Sequence, residues 1–391
     1  ASYSLTADRG PASNSLAVFQ SFTPWRPSTS ANESAIILAA LENSELTYEK
    51  KHELNIGVAL GFVDNRVNVE FDWYRRNNFD LIGYTQTMGV GGVTTKLAND
   101  ATMESTGCEF TISTTNIKTK DFKWTTDWIF GWAENTITKL DSRSQVYSLV
   151  NGVGRTEGRP IGALYSIPFA GLTEEGLPTF FIDAEHTQVV GPGNYAAIYF
   201  QEYENIDYLK YEGTIDPKIT GSFGNTFSWK GLKLNVFFTY SFGNVLRLDN
   251  LCPVYSSDYS DLTASMKEMK NRWMVPGDEN VTTIPSIPTV RQMREIDALN
   301  NAYSAYNYST ERVAKGDFIR LKELSLAYDL PKKYFEGQNA VSSFGVKLSA
   351  TNLWLAYADK KLNGRDPEYY NTGGVSSPVP RQFTLTVKLG F

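Results

Sequence analysis

From residue 382 to the last, every second side chain is apolar. Phe383, Leu385, Val387, Leu389 and Phe391 share one side, and Gln382, Thr384, Thr386, Lys388 and Gly390 share the other. A period of two is that of a β-strand with two different faces. The same pattern returns in pairs. In "ELNIGVALGF" (53–62) Leu54, Ile56, Val58, Leu60 and Phe62 face one way, "VDNR" turns the chain, and "VNVEFDWY" (67–74) puts Val67, Val69, Phe71 and Trp73 on one face. Such pairs predict hairpins. Alternation alone leaves two environments open: a soluble sandwich, or a wall with lipid on one face and a polar lumen on the other.

Further hairpins follow. "GCEFTIST" (107–114) and "FKWTTDWIFGW" (122–132) flank "KTKD"; "ITGSFGNTFSW" (219–229) and "LKLNVFFTYSF" (232–242) flank "KG". "GDFIRLKELSLAYDL" (316–330) leads through a turn around "PKKYFEGQNA" into "FGVKLSATNLW" (344–354). The apolar face switches between Leu321 and Leu324, which predicts a bulge. At one end the connections are tight, except the longer one near 331–342. At the other end they are long: 9–46, 83–103, 138–216, 247–315 and 358–380. Sandwiches rarely segregate loops this way, whereas outer-membrane barrels have short periplasmic turns and long outer loops. With the opening "SYSL" and the last strand, the count is about ten strands, an even number as such barrels prefer. The expected fold class is therefore all-β, an antiparallel transmembrane β-barrel wall.

Composition is compatible with this and narrows the alternatives. Lys and Arg total 37 against 43 Asp and Glu, a formal net charge of -6 with no basic block, which argues against nucleic acid as a partner. The longest apolar run, "AIILAAL" at 35–41, is far short of the ~18 residues of a membrane helix. The mean hydropathy of -0.31 does not exclude a barrel, because half of each strand is polar. Cys108 and Cys252 lie far apart in dissimilar contexts and do not suggest a disulfide framework. The opening "ASYSLTADRG" lacks the basic and apolar regions of a signal peptide, so the expectation is a processed chain or one beginning within a longer protein.

Long loops in a compact protein are usually functional or carry structure of their own. The segment "NYAAIYFQEYENIDYLKY" (194–211) gathers Tyr195, Tyr199, Phe200, Tyr203, Tyr208 and Tyr211. These residues are candidate contacts for a ligand or partner, as a sugar-stacking platform; ordinary loop packing is the other reading. "AIILAAL" either packs under its own loop or meets a partner protein. Catalytic, cofactor and metal signals are not found. The two histidines, His52 and His186, have no metal spacing, "GVGRTEG" (152–158) lacks the strand–helix context of a dinucleotide site, and "GVGGV" (89–93) reads as a loop. No nucleophile elbow is present. The chain is not expected to be an enzyme.

Laid out in order, these blocks resemble one family. "LTYEKKHELNIGVALGFVDNRVNVEFDWYRRNNFDLI", "STGCEFTISTTNIKTKDFKWTTDW", "GRPIGALYSIPFAGL", "DPKITGSFGNTFSWKGLKLNVFFTYSFGN", "GDFIRLKELSLAYDLPKKYF", "TNLWLAYADKKLNGRDPE" and "RQFTLTVKLGF" are each similar to segments of SusC/RagA-like TonB-dependent outer-membrane transporters of Bacteroidetes. The chain resembles their C-terminal barrel portion, about ten strands of a wall of about twenty-two. Residues 1–391 are then one barrel segment, without the plug domain and the N-terminal strands.

The resemblance implies import of glycan oligomers or oligopeptides across the outer membrane, without a cofactor. Its implied partners are a SusD-like surface lipoprotein acting as a lid, the TonB complex acting through the N-terminal parts, the N-terminal remainder of the same barrel, and the lipid bilayer. It also implies that the last strand, with Phe383, Leu385, Val387, Leu389 and Phe391, acts as a barrel-assembly signal. Two alternatives stand beside it: a surface glycan-binding or adhesive β protein without transport, and a small passive porin.

Overall fold

The structure, a computed structural model, describes residues 1–9, 16–22, 35–89, 92, 94–251, 267–331, 334, 341–370 and 380–391. Cys252, part of "GVGGV" and most of "PKKYFEGQNA" lie outside the described residues.

Ten antiparallel strands form one sheet: β1 (Ser2–Asp8), β2 (Glu49–Phe62), β3 (Val67–Gln86), β4 (Thr95–Lys118), β5 (Phe122–Leu140), β6 (Ile219–Trp229), β7 (Leu232–Phe242), β8 (Phe318–Asp329), β9 (Ser343–Ala358) and β10 (Gln382–Gly390). Each strand pairs with the next in sequence, so the wall is a pure meander with β1 and β10 at its edges. The tight ends are built from backbone that turns left-handed. Val63, Asp64 and Asn65 all have positive φ, and Lys230 and Gly231 form the two-residue connection of β6 and β7 with φ of 45° and 90°. Two successive positive φ values suit the twist of a hairpin.

Register aligns the apolar side chains into rows. Leu60 stands opposite Val69, Val69 opposite Ile112, and Ile112 opposite Trp128. The row continues through Phe223, Phe238 and Leu321 to Trp354, crossing eight strands. Leu60 is 49% exposed and Trp354 57%. Covering side chains of this size with lipid is worth roughly 1.5–3 kcal/mol each. Gly221 shows how closely the face is fitted. A Cβ there would stand 2.2 Å from the Ile129 carbonyl oxygen and 2.4 Å from the Tyr240 hydroxyl. The Tyr240 side chain crosses that position, accepting from Trp128 Nε1 and donating to the Ile129 carbonyl, both at 2.9 Å.

The predicted bulge is present. Phe237 pairs with Glu323 and Phe238 with Leu321, leaving Lys322 as the extra residue. One expectation needs correcting. The 83–103 stretch is mostly strand, because β3 runs to Gln86 and β4 starts at Thr95, leaving 87–94 as the connection. Alternation is hidden there by two register shifts, one at 78–81, where Asp80 has φ of 58°, and one at 81–82.

At the long-loop end, residues 141–218, 243–251 and 267–317 fold together into one roof. The two-stranded sheet of Ala163–Ser166 with Lys210–Thr214 and the three-stranded sheet of Phe169–Leu172, Pro178–Phe181 and Val189–Val190 pack with α1 (Val146–Val150), α2 (Val290–Glu295) and α3 (Leu299–Asn307). α3 buries Leu299, Ala302, Tyr303 and Tyr306, the spacing of one helical face. α2 opens with a capping box between Thr289 and Gln292. The two connections thus share a core that includes Leu149, Ile167, Phe180, Tyr195, Leu251 and Met269. Residues of "AIILAAL" instead form a two-stranded hairpin, Ala35–Ala40 with Val18–Phe22, in which Phe19 and Ile36 are exposed rather than packed beneath a loop.

Candidate functional site

Where the roof meets the rim of the wall, a cleft opens. Its two lobes, of about 290 and 420 Å³, share Ser142, Arg143, Ser144 and Arg155. The cleft begins with a bulge. Leu81 pairs with Ala101 and Ile82 with Asn99, so Asp100 is the extra residue of β4. Bulges re-aim side chains, and this one turns a carboxylate into the cleft wall. Asp100 is only 2% exposed. Its Oδ2 accepts the Ser142 hydroxyl at 2.7 Å, while Oδ1 is buried without a hydrogen-bond partner.

Arg155 comes from the turn after α1. Gly154 makes that turn possible, since a Cβ there would meet the Leu149 backbone nitrogen at 2.8 Å. Ser144 pins the Arg155 backbone on both sides, donating to its carbonyl at 2.9 Å and accepting from its N–H at 2.8 Å. The guanidinium reaches to 3.7 Å from Asp100 Oδ2, longer than a direct hydrogen bond. Residue 83 beside it is glycine, and a Cβ there would lie 2.7 Å from Arg155 Nη1 unless the guanidinium shifted.

Tyr203 closes the cleft from the roof. Its hydroxyl accepts from Gln86 Nε2 of β3 at 2.7 Å and also from Gln145 Nε2. The Glu202 carboxylate holds the turn that carries it, accepting the N–H groups of Tyr203 at 2.9 Å and Glu204 at 2.8 Å. These backbone donors, Glu204 first, hold the Glu202 carboxyl below its ordinary range.

The six aromatic side chains of 194–211 do not form one platform. Tyr195 is in the roof core, donating to the Pro178 carbonyl at 2.9 Å, and burial pushes its hydroxyl pKa up. Tyr208 is also buried, with its pKa raised to about 12 by desolvation and then by Glu202. Phe200 packs edge-on against Tyr308, and Tyr211 lies under the Arg159 guanidinium. Tyr199 is exposed, and only Tyr203 lines the cleft. The row Phe383, Leu385, Val387, Leu389 and Phe391 is exposed on β10, the edge of the sheet. Among the described residues, no group of three or more His, Cys, Asp or Glu side chains is placed to hold a metal ion.

Asp100, Ser142, Arg155 and Gln86 carry no sequence motif. The nearest signal was "GVGRTEG", whose Gly154 allows the close turn that carries Arg155.

No family model matches the chain. It is 27% identical over 393 residues to TonB-dependent receptor P3 of Formosa agariphila, covering 92% of this chain and 36% of that protein. TonB-dependent receptor P26 of the same organism is 26% identical with the same coverage. TonB-dependent receptor SusC of Bacteroides thetaiotaomicron is 33% identical over 99 residues, 25% of this chain and 10% of SusC. The chain therefore spans a little over a third of the length of the relatives it matches most extensively. Among solved structures, the RagAB peptide transporter superposes over 100% of this chain and 40% of its own, with a TM-score of 0.74 and 23% identity. Sequence similarity over nine-tenths of the chain, joined to the same barrel-wall fold, makes the chain similar to the C-terminal barrel portion of SusC/RagA-like TonB-dependent receptors.

Proposed function

We propose that the chain supplies wall and extracellular roof to a TonB-dependent importer of glycan oligomers or oligopeptides. The observation that carries this reading is the pairing of an exposed apolar face across the meander with a roof that, among the described residues, is folded at one end of the wall. The apolar rows face lipid, the polar face lines a lumen, and the roof lies outside the cell. In lipid the unpaired backbone groups of β1 and β10 need partners, so further strands of the same barrel close the wall. Coupling to the TonB complex belongs to parts of the protein beyond this segment, a plug among them. A SusD-like lipoprotein sits on the roof as a lid, and exposed Tyr199 and Val281 are suitable anchors. Likeness to the RagAB peptide transporter supports an importer of oligomers.

Topology is tested with single cysteines at Asp64, in the β2–β3 turn, and at Val281, in the roof, of the full-length receptor with Cys108 and Cys252 replaced by serine. In intact cells an impermeant maleimide labels the Val281 site and spares the Asp64 site. The reverse pattern overturns the orientation. Tyr199→Arg and Val281→Arg are expected to lower co-purification of the lipoprotein, and full recovery removes this surface from the lid contact.

A further inference from the structure

We infer that a hydrogen-bonded polar island on the lipid-facing side of β4, β5 and β6 holds one anionic glycerophospholipid of the periplasmic leaflet. The inference goes beyond the import reading and rests on it only for the membrane placement of the wall.

One row nearer the tight turns than Ile112, Trp128 and Phe223, the apolar face is interrupted. This row is apolar at its two sides, with Val67 at one and Val236 and Leu324 at the other. Between them stand Thr114, Thr126 and Asn225. A bulge adds Asn116, since Thr115 pairs with Thr125 and Ile117 with Trp124. The four side chains form a directed chain. Thr114 Oγ1 donates to Asn116 Oδ1 at 2.8 Å, Asn116 Nδ2 to Thr126 Oγ1 at 2.7 Å, and Thr126 Oγ1 to Asn225 Oδ1 at 2.8 Å. Trp124 Nε1 donates to the same Asn225 oxygen at 2.9 Å. An indole N–H can only donate, which fixes the Asn225 amide this way round. Both amide oxygens are thereby used, while Asn225 Nδ2 has no acceptor among the described residues.

The leftover donor selects the occupant. Acyl chains offer no acceptor, and an unpaired amide against hydrocarbon is costly. A second copy of this face would bring another free N–H and no free amide oxygen. A glycerophospholipid brings acceptors, its two ester carbonyls and its phosphate. Depth agrees. The rows Ile117–Trp124–Phe227 and Phe122–Trp229 lie between the island and the turns. Four residues at a rise of about 3.3 Å and a tilt of about 40° are roughly 10 Å along the membrane normal. Aromatic belts occupy the headgroup level, so the island lies just inside it, where ester carbonyls reach. Charge agrees as well. Lys120 and Lys230 are exposed in the two turns below, with Lys230 Nζ 5.7 Å over the Trp229 ring. Lys118, Lys123 and Lys233 end the same strands on the other face, and Asp121 is the one carboxylate of 118–123 and 229–233. Such turns favour an anionic headgroup. On the other side of the island Trp128 and Phe223, 37% and 43% exposed, offer the acyl chains an apolar surface.

The test is native mass spectrometry of the purified full-length receptor, delipidated in detergent and titrated with dioleoyl phosphatidylglycerol. One lipid is expected to stay bound per receptor. The di-ether analogue lacks ester carbonyls and should bind roughly tenfold more weakly, the loss of one hydrogen bond. Asn225→Leu should lower binding of the ester lipid to the level of the ether lipid and leave the ether lipid unchanged, the signature of a direct pair. Dioleoyl phosphatidylcholine should bind more weakly than phosphatidylglycerol, and Lys120→Gln with Lys230→Gln should erase that difference. Heat-dependent gel migration identifies variants that remain folded. Equal binding of ester and ether lipids by wild type overturns the assignment. So does full discrimination in folded Asn225→Leu, or no retained lipid. Altered receptor stoichiometry in Asn225→Leu with lipid retention unchanged also overturns it, in favour of a contact between copies. The two readings fail separately: a reversed maleimide pattern leaves binding in detergent intact, and failed lipid binding leaves the topology intact.

Discussion

Arg320 of β8 and Asp366 of the β9–β10 connection form an ion pair whose side chains are 5% and 10% exposed. Arg320 Nε also lies 3.0 Å from a Glu368 oxygen, and Asp366 caps the short helix Pro367–Tyr369 by accepting from the Glu368 N–H at 3.1 Å. One guanidinium from the wall thus organises the connection above it. Removing one partner of a buried pair strands the other charge, at a cost of about 3–5 kcal/mol. Arg320→Ala should therefore free residues 359–370 to proteases while the strands stay assembled. Limited proteolysis with mass mapping reads this directly, and an unchanged cleavage pattern would show that the connection is held by its other contacts.

Arg247 ties the roof internally. It lies on the short strand Val245–Arg247, and its guanidinium donates to the carbonyls of Ser309 at 2.9 Å, Val150 at 3.2 Å and Tyr165 at 2.5 Å. These carbonyls come from both long connections, so a single cation stitches them. Burial pulls its pKa down to about 10, still far above neutrality. Arg247→Met fills much of the space but leaves three carbonyls without this donor, and should cost the roof about 3 kcal/mol or more. Hydrogen exchange across 146–167 and 299–309 should accelerate together. Acceleration in one connection only would refute the shared tie.

The strands were legible because alternation survives wherever pairing is regular, and even the Lys322 bulge left a trace as a change of apolar face. The upper halves of β3 and β4 were not, since Asp80 and Asp100 each interrupt the period. The cleft was illegible for a related reason. Its residues come from 84–100, 140–157 and 203–207, and only register and loop packing bring them together. The aromatic run at 194–211 suggested a single surface. On this largely irregular stretch successive side chains diverge, with Tyr195 turned into the core, Tyr199 to solvent and Tyr203 to the cleft.

Glu202 predicts a pH dependence of the Tyr203 turn. Its carboxyl is depressed in the folded state by N–H donors from Glu204 and Tyr203. For an acid with a lowered folded pKa, the stabilisation is present above the ordinary value of 4.5 and is lost as pH falls through the folded value. Residues 202–205 should therefore loosen on acidification below that range and remain ordered at neutral pH. Peptide-level hydrogen exchange, corrected for the intrinsic rate, measures it. Glu202→Gln should show the looser turn at neutral pH and little further change with acid. A Gln variant that retains the wild-type acid response would place the titrating group elsewhere.

The row on β10 predicts a separation between assembly and stability. Phe383 pairs with Ala350, Leu385 with Leu348, Val387 with Val346 and Leu389 with Phe344, so the row continues the lipid-facing side of β9. Phe391 ends it and is 90% exposed, at the short-turn end of the wall. Aromatic rings favour that level of a membrane, where an apolar body meets a wet edge. Losing the burial of one such ring costs roughly 1.5–3 kcal/mol, which a closed barrel of this size can bear. Recognition during assembly has no such reserve if the row is the assembly signal, because the machinery must bind this strand before the rest of the wall can support it. Phe391→Asp should therefore lower the outer-membrane abundance of the full-length receptor several-fold, while the barrels that do assemble keep nearly the wild-type heat-modifiability midpoint. Leu389→Asp, one step further into the lipid-facing row, should lower both. Normal abundance of Phe391→Asp would leave Phe391 an ordinary strand end with no part in assembly.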